Sequence, residues 1–393
     1  MQSFVFYSPT EVVFGKGAEE KTGEEIRRFG GNRVFVVYGG GSVVKSGLLD
    51  KITGQLKAQG IPFETLGGVQ PNPHLDFAEA GVEKAADFGA DFILAVGGGS
   101  VIDTAKAIAH GVANPGVKLW DIWCGKQALA KSLPVGVVLT ISAAGSETSD
   151  SAVLTNTAIG QKRGLSTDFN RPRFAVMNPE LTYTLPDYQV GCGIVDIMMH
   201  TLDRYFTNTV GNDFTDEAAE ALLRTVIRHG RKAVEDKTDY EAMSELMWCG
   251  SVSHNGLTGL GAVTDFAPHQ LGHELSAMFD AAHGASLSTM WGSWALHCWQ
   301  VNPGRFVRYA RQVWGISEAD EEKAALAGIQ ATVDYFKAIH MPTCFSELGI
   351  GLQEEAVLRE LAERCSYYGA RLVGHFKELN QEDLYAIYRA ANR

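Results

Sequence analysis

The segment DFILAVGGGSVIDTAKAIAHGV, which begins at Asp91, constrains the fold of this chain more than any other stretch. Its apolar run (91–96) ends in glycines, and a helical pattern follows at once. A short run that is apolar without alternation predicts a strand buried on both faces, as in parallel sheets. The glycines permit a tight turn and let backbone N–H groups at the helix start approach a diphosphate. A plain flexible turn is the alternative for an isolated GGGS, but the strand-to-helix context favours phosphate binding.

The same alternation continues through the first half of the chain. Further strand-like runs are RVFVVY (33–38), PFETL, LPVGVVLTI and RFAVMN, with helical patterns between them, and MQSFVFYSPTEVVFG at the start is typical of an alternating strand. From about residue 185 onward only helical patterns follow. The sequence therefore predicts an α/β domain with a doubly wound parallel sheet over 1–187 and an all-α domain over 188–393.

Composition excludes several classes of partner. The chain has 393 residues and a formal net charge of −12, which would repel nucleic acid and anionic membranes. No basic-plus-apolar signal opens the sequence, and no apolar run reaches membrane-spanning length. The six cysteines are scattered without a CxxC pair, as is typical of reduced thiols. We therefore expect a cytoplasmic protein that binds neither nucleic acid nor a membrane.

A second glycine loop, YGGGS at 38–42, follows an earlier strand. Nicotinamide-binding sheets often place a carboxylate at such a strand end to bind the adenosine ribose. This loop has Gly39, Gly40 and Gly41 there, followed by Ser42, and Lys45 lies nearby in sequence. Without the carboxylate, a 2′-phosphate meets no repulsion and has room. The loop favours NADP(H) as the cofactor and leaves NAD(H) possible.

Histidines and one aspartate mark the second half. Asp196 and His200 are spaced i, i+4 in GIVDIMMHTLDRYF, so both project from one helix face. PHQLGHELSAMFDAAHG adds His269, His273 and His283. One carboxylate with several imidazoles suits Fe²⁺ or Zn²⁺. Spacing alone pairs His269 with His273 as an HxxxH site, and it leaves hydrogen-bonded core residues as the alternative.

Several motifs together carry a family resemblance. The motifs that carry this resemblance are GGGSVIDTAK, the PNP turn, AGSE (144–147), VDIMMH, and HxxxH followed by HG. Through them the chain resembles the iron-containing (group III) alcohol dehydrogenases over essentially its whole length. It is most similar to the branch of NADPH-dependent aldehyde reductases and butanol dehydrogenases, in which YGGGS and NGLxGxG also occur; here the latter is NGLTGLG (255–261). The resemblance implies a dehydroquinate synthase-like architecture, with a dinucleotide-binding first domain and a second domain for metal and substrate.

The resemblance also implies roles for individual residues. Asp196, His200, His269 and His283 would be the metal ligands, whereas His273 would lie near nicotinamide and substrate as a proton relay. The positions that would bind the cofactor, besides those of the YGGGS loop, are Asn72, Gly98, Gly99, Ser100, Asp103, Thr140, Ser142 and Lys162, with Lys106 in the same motif as Asp103. The family commonly has TTAGTGSE where this chain reads TISAAGSE, so Ile141 and Ala144 replace two hydroxyl residues.

The expected reaction is reversible hydride transfer between NADP(H) and a small aldehyde or primary alcohol, as in a butanol dehydrogenase or a broad-range aldehyde reductase. The resemblance further implies a homodimer formed through N-terminal strands. A dehydroquinate synthase-like lyase is one alternative, but no Lys/Arg cluster accompanies the histidines to hold its substrate. A metallohydrolase, or a non-catalytic metal-binding module, would leave both glycine loops without a role.

Overall fold

The chain folds into two compact units, and the computed structural model describes all 393 residues. One unit is Tyr7–Leu185, and the other combines Met1–Phe6 with Pro186–Arg393. The first residues group with the second half because the Met1 amine donates to the Val210 carbonyl (2.8 Å) and Gln2 N donates to the Gly261 carbonyl (2.9 Å). The alternating strand predicted at the N-terminus is wrong for residues 1–10, which form no strand.

A parallel sheet organises the unit Tyr7–Leu185. The strands of this unit are β1 (Glu11–Phe14), β2 (Val34–Gly39), β3 (Phe63–Val69), β4 (Phe92–Gly97), β5 (Val135–Leu139), β6 (Ser151–Asn156), β7 (Gln161–Ser166) and β8 (Phe174–Met177). Six of them pair in the order β1-β8-β5-β4-β2-β3, every pair parallel, while β6 and β7 form a separate antiparallel hairpin. Every residue of β4 and β5 is buried, as continuous apolar strands in a covered sheet should be.

Helices cover the sheet. They are α1 (Thr22–Arg28), α2 (Ser42–Lys45), α3 (Leu48–Ala58), α4 (Leu75–Phe88), α5 (Gly99–Ala113) and α6 (Leu119–Trp123), with short 3₁₀ turns at Ala18–Lys21, Asp168–Asn170 and Pro179–Thr182. The helical spacing of Leu48, Ile52 and Leu56 puts all three on the buried face of α3, where they share one core cluster with Val34 and Val36 of β2.

The strand order places both glycine loops side by side at the carboxyl ends of neighbouring strands. From β2 the chain moves outward to β3, and then returns to the other side of β2 to form β4. The order therefore reverses between β2 and β4, and ligands of open α/β sheets bind outside the carboxyl ends of the strands at such a switch point. Gly39 and Gly97 are the last residues of these two strands, and Gly40–Gly41 and Gly98–Gly99 follow them.

The second unit is helical. Its helices are α7 (Asp187–Tyr205), α8 (Asp213–Glu235), α9 (Tyr240–His254), α10 (Ala267–Phe279), α11 (His283–Cys298), α12 (Pro303–Trp314), α13 (Glu321–Ala338), α14 (Phe345–Leu348), α15 (Glu355–Cys365) and α16 (Gln381–Ala391), with 3₁₀ turns at Leu257–Gly259 and Trp299–Val301. Only an isolated bridge between Val373 and Leu379 has β geometry. Helix α7 is central: α8, α9, α10 and α11 pack on it, and between Val190 and Tyr205 only Cys192 is not fully buried. These two architectures confirm the predicted fold class.

None of the helices combines the length and the apolar character that crossing a membrane requires.

Candidate metal centre and glycine loops

Helix α7 supplies two of the predicted ligands. Asp196 and His200 lie one turn apart on it, so both side chains leave the same face. Their relative exposures are only 5% and 6%, and Asp196 Oδ1 lies 3.4 Å from His200 Nε2. A carboxylate buried this deeply needs a positive partner, because an isolated charge in the interior is costly.

Helices α10 and α11 bring the other two. His269 lies in the first turn of α10, and His283 is the first residue of α11. Gly284, the glycine of the HG motif, lets the start of α11, and with it His283, come close to α7. A Cβ on it would lie 2.1 Å from the Cys192 carbonyl oxygen, so only glycine lets α11 begin this close to α7.

The donor atoms of Asp196, His200, His269 and His283 all lie within 4.8 Å of one another. Asp196 Oδ1 is 3.9 Å from His269 Nε2 and 3.6 Å from His283 Nε2, and the Nε2 atoms of His200 and His269 are 3.3 Å apart. Tetrahedral ligands at bond lengths of about 2.0–2.2 Å from one cation lie about 3.4 Å apart. One carboxylate oxygen and three imidazole nitrogens directed at one point therefore fit a divalent metal such as Fe²⁺ or Zn²⁺.

The protonation of His200 also suits metal binding. Burial, followed by the neighbouring imidazoles of His254 and His269, holds the pKa of His200 well below its ordinary value. His200 is therefore neutral near pH 7, and a neutral imidazole is the form that binds a metal.

Asp203 is a residue of this centre that the sequence analysis missed. Its Oδ2 accepts a hydrogen bond from His269 Nδ1 in the buried interior, which fixes the proton on Nδ1 and leaves the Nε2 lone pair directed at the other donors. Such carboxylate–histidine pairs orient metal ligands in many proteins. The signal was present in the sequence, since Asp196, His200 and Asp203 follow the i, i+4, i+7 spacing of one helix face.

His273 lies beside the four donors without being one of them. It is one turn after His269 on α10, and its ring centroid is 5.3 Å from that of His283 and 6.2 Å from that of His269. The structure therefore separates the two histidines of the HxxxH pattern, which spacing alone had paired. His273 is partly exposed, so solvent can reach it.

The later glycine loop has the form expected of a diphosphate site. Gly98 caps α5, and Gly99 and Ser100 begin the helix, so their N–H groups point outward from its N-terminus. A Cβ on Gly99 would meet nothing within 4 Å, which leaves room for a ligand. A Cβ on Gly98 would lie 2.2 Å from Ile141 Cγ2, so the isoleucine that departs from the family pattern packs directly on this loop.

Asp103 and Lys106 have partners inside the protein. Asp103 accepts hydrogen bonds from Ser146 Oγ (2.6 Å) and Val153 N (2.9 Å). Lys106 Nζ is fully buried and donates to the carbonyls of Ser146 (2.8 Å) and Ser151 (2.7 Å). Burial lowers the pKa of Lys106 to about 8, although Asp103 opposes that shift. Both residues thus hold the AGSE segment and β6 against α5, and direct contact of Asp103 with a cofactor stays a prediction.

The remaining predicted cofactor residues lie in the same unit. Lys162 Nζ donates to Asn72 Oδ1 at 3.0 Å, so these two are brought together although they are far apart in sequence. Thr140 follows β5, where its N–H donates to the Gly97 carbonyl (3.1 Å). Ser142 is buried, and its hydroxyl oxygen has no hydrogen-bond partner within the protein. A buried hydroxyl in that state is suited to a ligand.

Comparisons with known proteins agree with this geometry. The family model "Iron-containing alcohol dehydrogenase" matches residues 9–179, and its C-terminal counterpart, "Fe-containing alcohol dehydrogenase family, C-terminal", matches 192–392. The chain is 38% identical to NADH-dependent butanol dehydrogenase A of Clostridium acetobutylicum, with 99% of each chain covered. It is 35% identical to the NADPH-dependent aldehyde reductase YqhD of Escherichia coli, with 100% of each covered.

Solved structures give the same result. The crystal structure of NADH-dependent butanol dehydrogenase A from Thermotoga maritima superimposes with a TM-score of 0.96 at 34% sequence identity, covering 100% of this chain and 99% of that one. The resemblance inferred from the motifs is confirmed.

Proposed function

We propose, from the premise that the chain belongs to the iron-containing alcohol dehydrogenase family, that it transfers hydride between NADP(H) and small aldehydes or primary alcohols. Membership of that family makes the chain an oxidoreductase that depends on NAD(P)H and on a metal. The relatives' names supply the substrate class: butanol in one and aldehydes in the other. The observation that carries the proposal is the convergence of Asp196, His200, His269 and His283 on one point.

We propose these four residues as the ligands of one divalent cation. When bound, such a cation supplies a Lewis acid that polarises an aldehyde carbonyl or lowers the pKa of an alcohol. The chain's own contribution is orientation: α7 fixes Asp196 and His200 by helical spacing, and Asp203 fixes the tautomer of His269. The donor set accepts Fe²⁺ and Zn²⁺ alike.

The dinucleotide is proposed to bind at the carboxyl ends of β2 and β4. The N-terminus of α5, with Gly98, Gly99 and Ser100, would receive the diphosphate. Asn72 and Lys162, with Thr140 and Ser142, would lie along the nicotinamide half, and Gly39–Gly41 with Ser42 would receive the adenosine ribose. Relatives are named as NADH-dependent and as NADPH-dependent, so the preference for NADP(H) rests on the absence of a carboxylate in this chain's early loop.

His273 is proposed as the proton relay. It is close to His283 but outside the donor set, and it is partly exposed, so it can exchange a proton with solvent directly or through a water. The hydride itself comes from the nicotinamide ring, whose chemistry the protein only positions.

The direct test is a steady-state screen of short aldehydes with NADPH and NADH, followed by nicotinamide absorbance, on protein reconstituted with Fe²⁺ or Zn²⁺. We expect aldehyde-dependent oxidation of NADPH, with a higher kcat/KM than for NADH. A lyase or a hydrolase would show no net oxidation of the nicotinamide. No turnover with any aldehyde or alcohol on metal-loaded protein would refute the proposal.

We also infer that the protein is a homodimer. Residues 1–10 form no strand within the chain, and Phe4, Val5, Phe6 and Tyr7 are 48%, 90%, 46% and 48% exposed. An apolar segment with unpaired backbone groups is suited to pairing with a second copy. Light scattering should give twice the chain mass of 42.6 kDa, and Val5→Asp should shift the protein toward the monomer. A monomer in the unaltered protein would contradict this inference.

The compartment we propose is the cytoplasm. All six cysteines are free thiols in the structure, which suits a reducing environment. Protease protection of the protein in intact cells, compared with osmotically shocked cells, tests this placement.

A further inference from the structure

The histidines of the metal centre are not oriented in the same way. His269 donates its Nδ1–H to the Asp203 carboxylate, the usual means by which proteins fix a metal-binding imidazole. His200 has no such hydrogen bond, because its Nδ1 is buried and has no hydrogen-bond partner within the protein. No hydrogen bond at Nδ1 therefore helps to set the plane of the His200 ring.

His254 supplies a different contact. Its ring is stacked on the His200 ring, with centroids 3.9 Å apart and an angle of 22° between the planes. His254 is 9% exposed, so the stack lies in the interior beside the proposed ligands. His254 is not among the residues whose donor atoms converge, so it contacts a ligand without being one.

Other groups close the space around His200. The Phe266 ring meets it edge-on at 6.3 Å, and the His269 ring is tilted against it at 4.2 Å. Arg204 donates to the His200 carbonyl at 2.6 Å and lies over the Phe266 ring. Arg204 thus holds the His200 backbone and Phe266 meets the ring edge-on, whereas His254 stacks on a face of the ring and so resists rotation of its plane.

The NGLTGLG motif fixes His254 in turn. His254 is the last residue of α9, and Asn255 Oδ1 accepts from Leu257 N (3.0 Å) in the turn that follows. Gly256 has a φ of 103°, a left-handed conformation that permits the chain to reverse directly after the helix. The motif thereby ends α9 where its last side chain lies against α7.

We propose that His254 is a positioning residue that holds the His200 imidazole by aromatic stacking, in place of the hydrogen bond that His200 Nδ1 lacks. His200 Nε2 would hold the cation, which would make the His200 imidazole electron-poor, and an aromatic ring stacked on its face would then be attracted more strongly to it. The stack therefore tightens metal binding. This inference rests on the proposed metal site.

The test compares full-length His254→Phe, which keeps an aromatic face, with His254→Leu, which removes it. Zn²⁺ dissociation constants are measured by competition with a chromogenic chelator, and the ligand field is read from the visible spectrum of Co²⁺-loaded protein. We expect His254→Leu to raise the Zn²⁺ Kd about threefold to tenfold, the range for one aromatic contact, and to alter the Co²⁺ bands. We expect His254→Phe to remain within about twofold of the unaltered protein, because the stack persists.

His229→Leu is the matched control, because His229 is also a buried histidine (3% exposed) but lies on α8 outside the donor set, so its replacement should leave both readouts unchanged. If His254→Leu does not fold, His254→Asn replaces it, because asparagine also lacks an aromatic face. Three results would each overturn the proposal: an equal change of the Zn²⁺ Kd in His254→Phe and His254→Leu, no change in either variant, or fewer than one metal bound per chain in both variants. Failure of the unaltered protein to bind Zn²⁺ or Co²⁺ would instead refute the metal site itself.

Discussion

The early glycine loop permits a clean test of cofactor choice. A Cβ on Gly40 would meet nothing within 4 Å, so a side chain can leave the backbone there without a clash. Gly41 is unsuitable, because its φ of 121° is a conformation that side chains rarely adopt. Gly39 is more crowded, with Val69 O 3.7 Å from a built Cβ. Gly40→Asp is therefore the substitution whose effect should be electrostatic alone.

The magnitude follows from the charge introduced. If a 2′-phosphate binds at this loop within about 6–8 Å of a carboxylate at Gly40, two unit charges at that separation repel by about 2–3 kcal/mol at an effective dielectric constant of about 20. That corresponds to a loss of about thirtyfold to a hundredfold in kcat/KM for NADPH. NADH lacks the phosphate, so its kcat/KM should change little or improve as the carboxylate meets the ribose hydroxyls.

The assay is parallel steady-state kinetics with NADPH and NADH on one aldehyde, for the unaltered protein, Gly40→Asp and the neutral Gly40→Asn. Asparagine has nearly the same shape, so the NADPH-to-NADH ratio should fall only with aspartate. Screening predicts a smaller shift at high salt. An equal change in both variants would show that the loop acts through shape. An unaltered protein that prefers NADH would show that the missing carboxylate does not determine the choice of cofactor.

Further predictions concern the centre and the sheet. His273→Ala should lower turnover and leave metal content nearly intact; equal loss of both would contradict its role outside the donor set. Asp203→Ala should weaken metal affinity about tenfold to a hundredfold, because His269 loses its orientation, and unchanged affinity would exclude that role. In the α/β unit, burial lowers the pKa of His110 to about 4 from 6.5. The unfolded chain therefore takes up a proton that the folded chain refuses, and stability is lost as pH falls from 6.5 toward 4. The control is His110→Gln, which does not titrate and can still donate to Asn170. Relative to that variant, the unaltered protein should lose about 2 kcal/mol of unfolding free energy between pH 8 and pH 5, measured by denaturant titration. A difference in unfolding free energy between the two proteins that does not change with pH would rule this out.

Local patterns were sufficient for much of the fold and the site. Continuous apolar runs identified β2 and β4 and the loops that follow them. A strand that is buried on both faces is apolar at nearly every position, so the run itself marks the strand. Helical spacing placed Asp196 and His200 on one face. The assignment of His283 rather than His273 to the metal came from the family resemblance, since spacing favoured the adjacent pair.

Other features depend on contacts between distant segments. The hairpin of β6 and β7 does not follow from local pattern, because β6 has only a short apolar stretch and β7 is mostly polar and partly exposed. Asp103 and Lys106 belong to the GGGSVIDTAK motif, yet their partners in the structure, Ser146 and Ser151 among them, lie some forty residues later in the chain. The stacking of His254 on His200 likewise joins α9 to α7, and no pattern within either helix predicts it.

The most direct test of the central claim is metal stoichiometry. The metal-stripped protein is titrated with Fe²⁺ under anaerobic conditions or with Zn²⁺, and bound metal is counted by elemental analysis. We predict one ion per chain in the unaltered protein and loss of tight binding when Asp196, His200, His269 or His283 is replaced by alanine. Retention of one tightly bound ion after combined His269→Ala and His283→Ala substitution would contradict the account, because the four donors would then not share one metal.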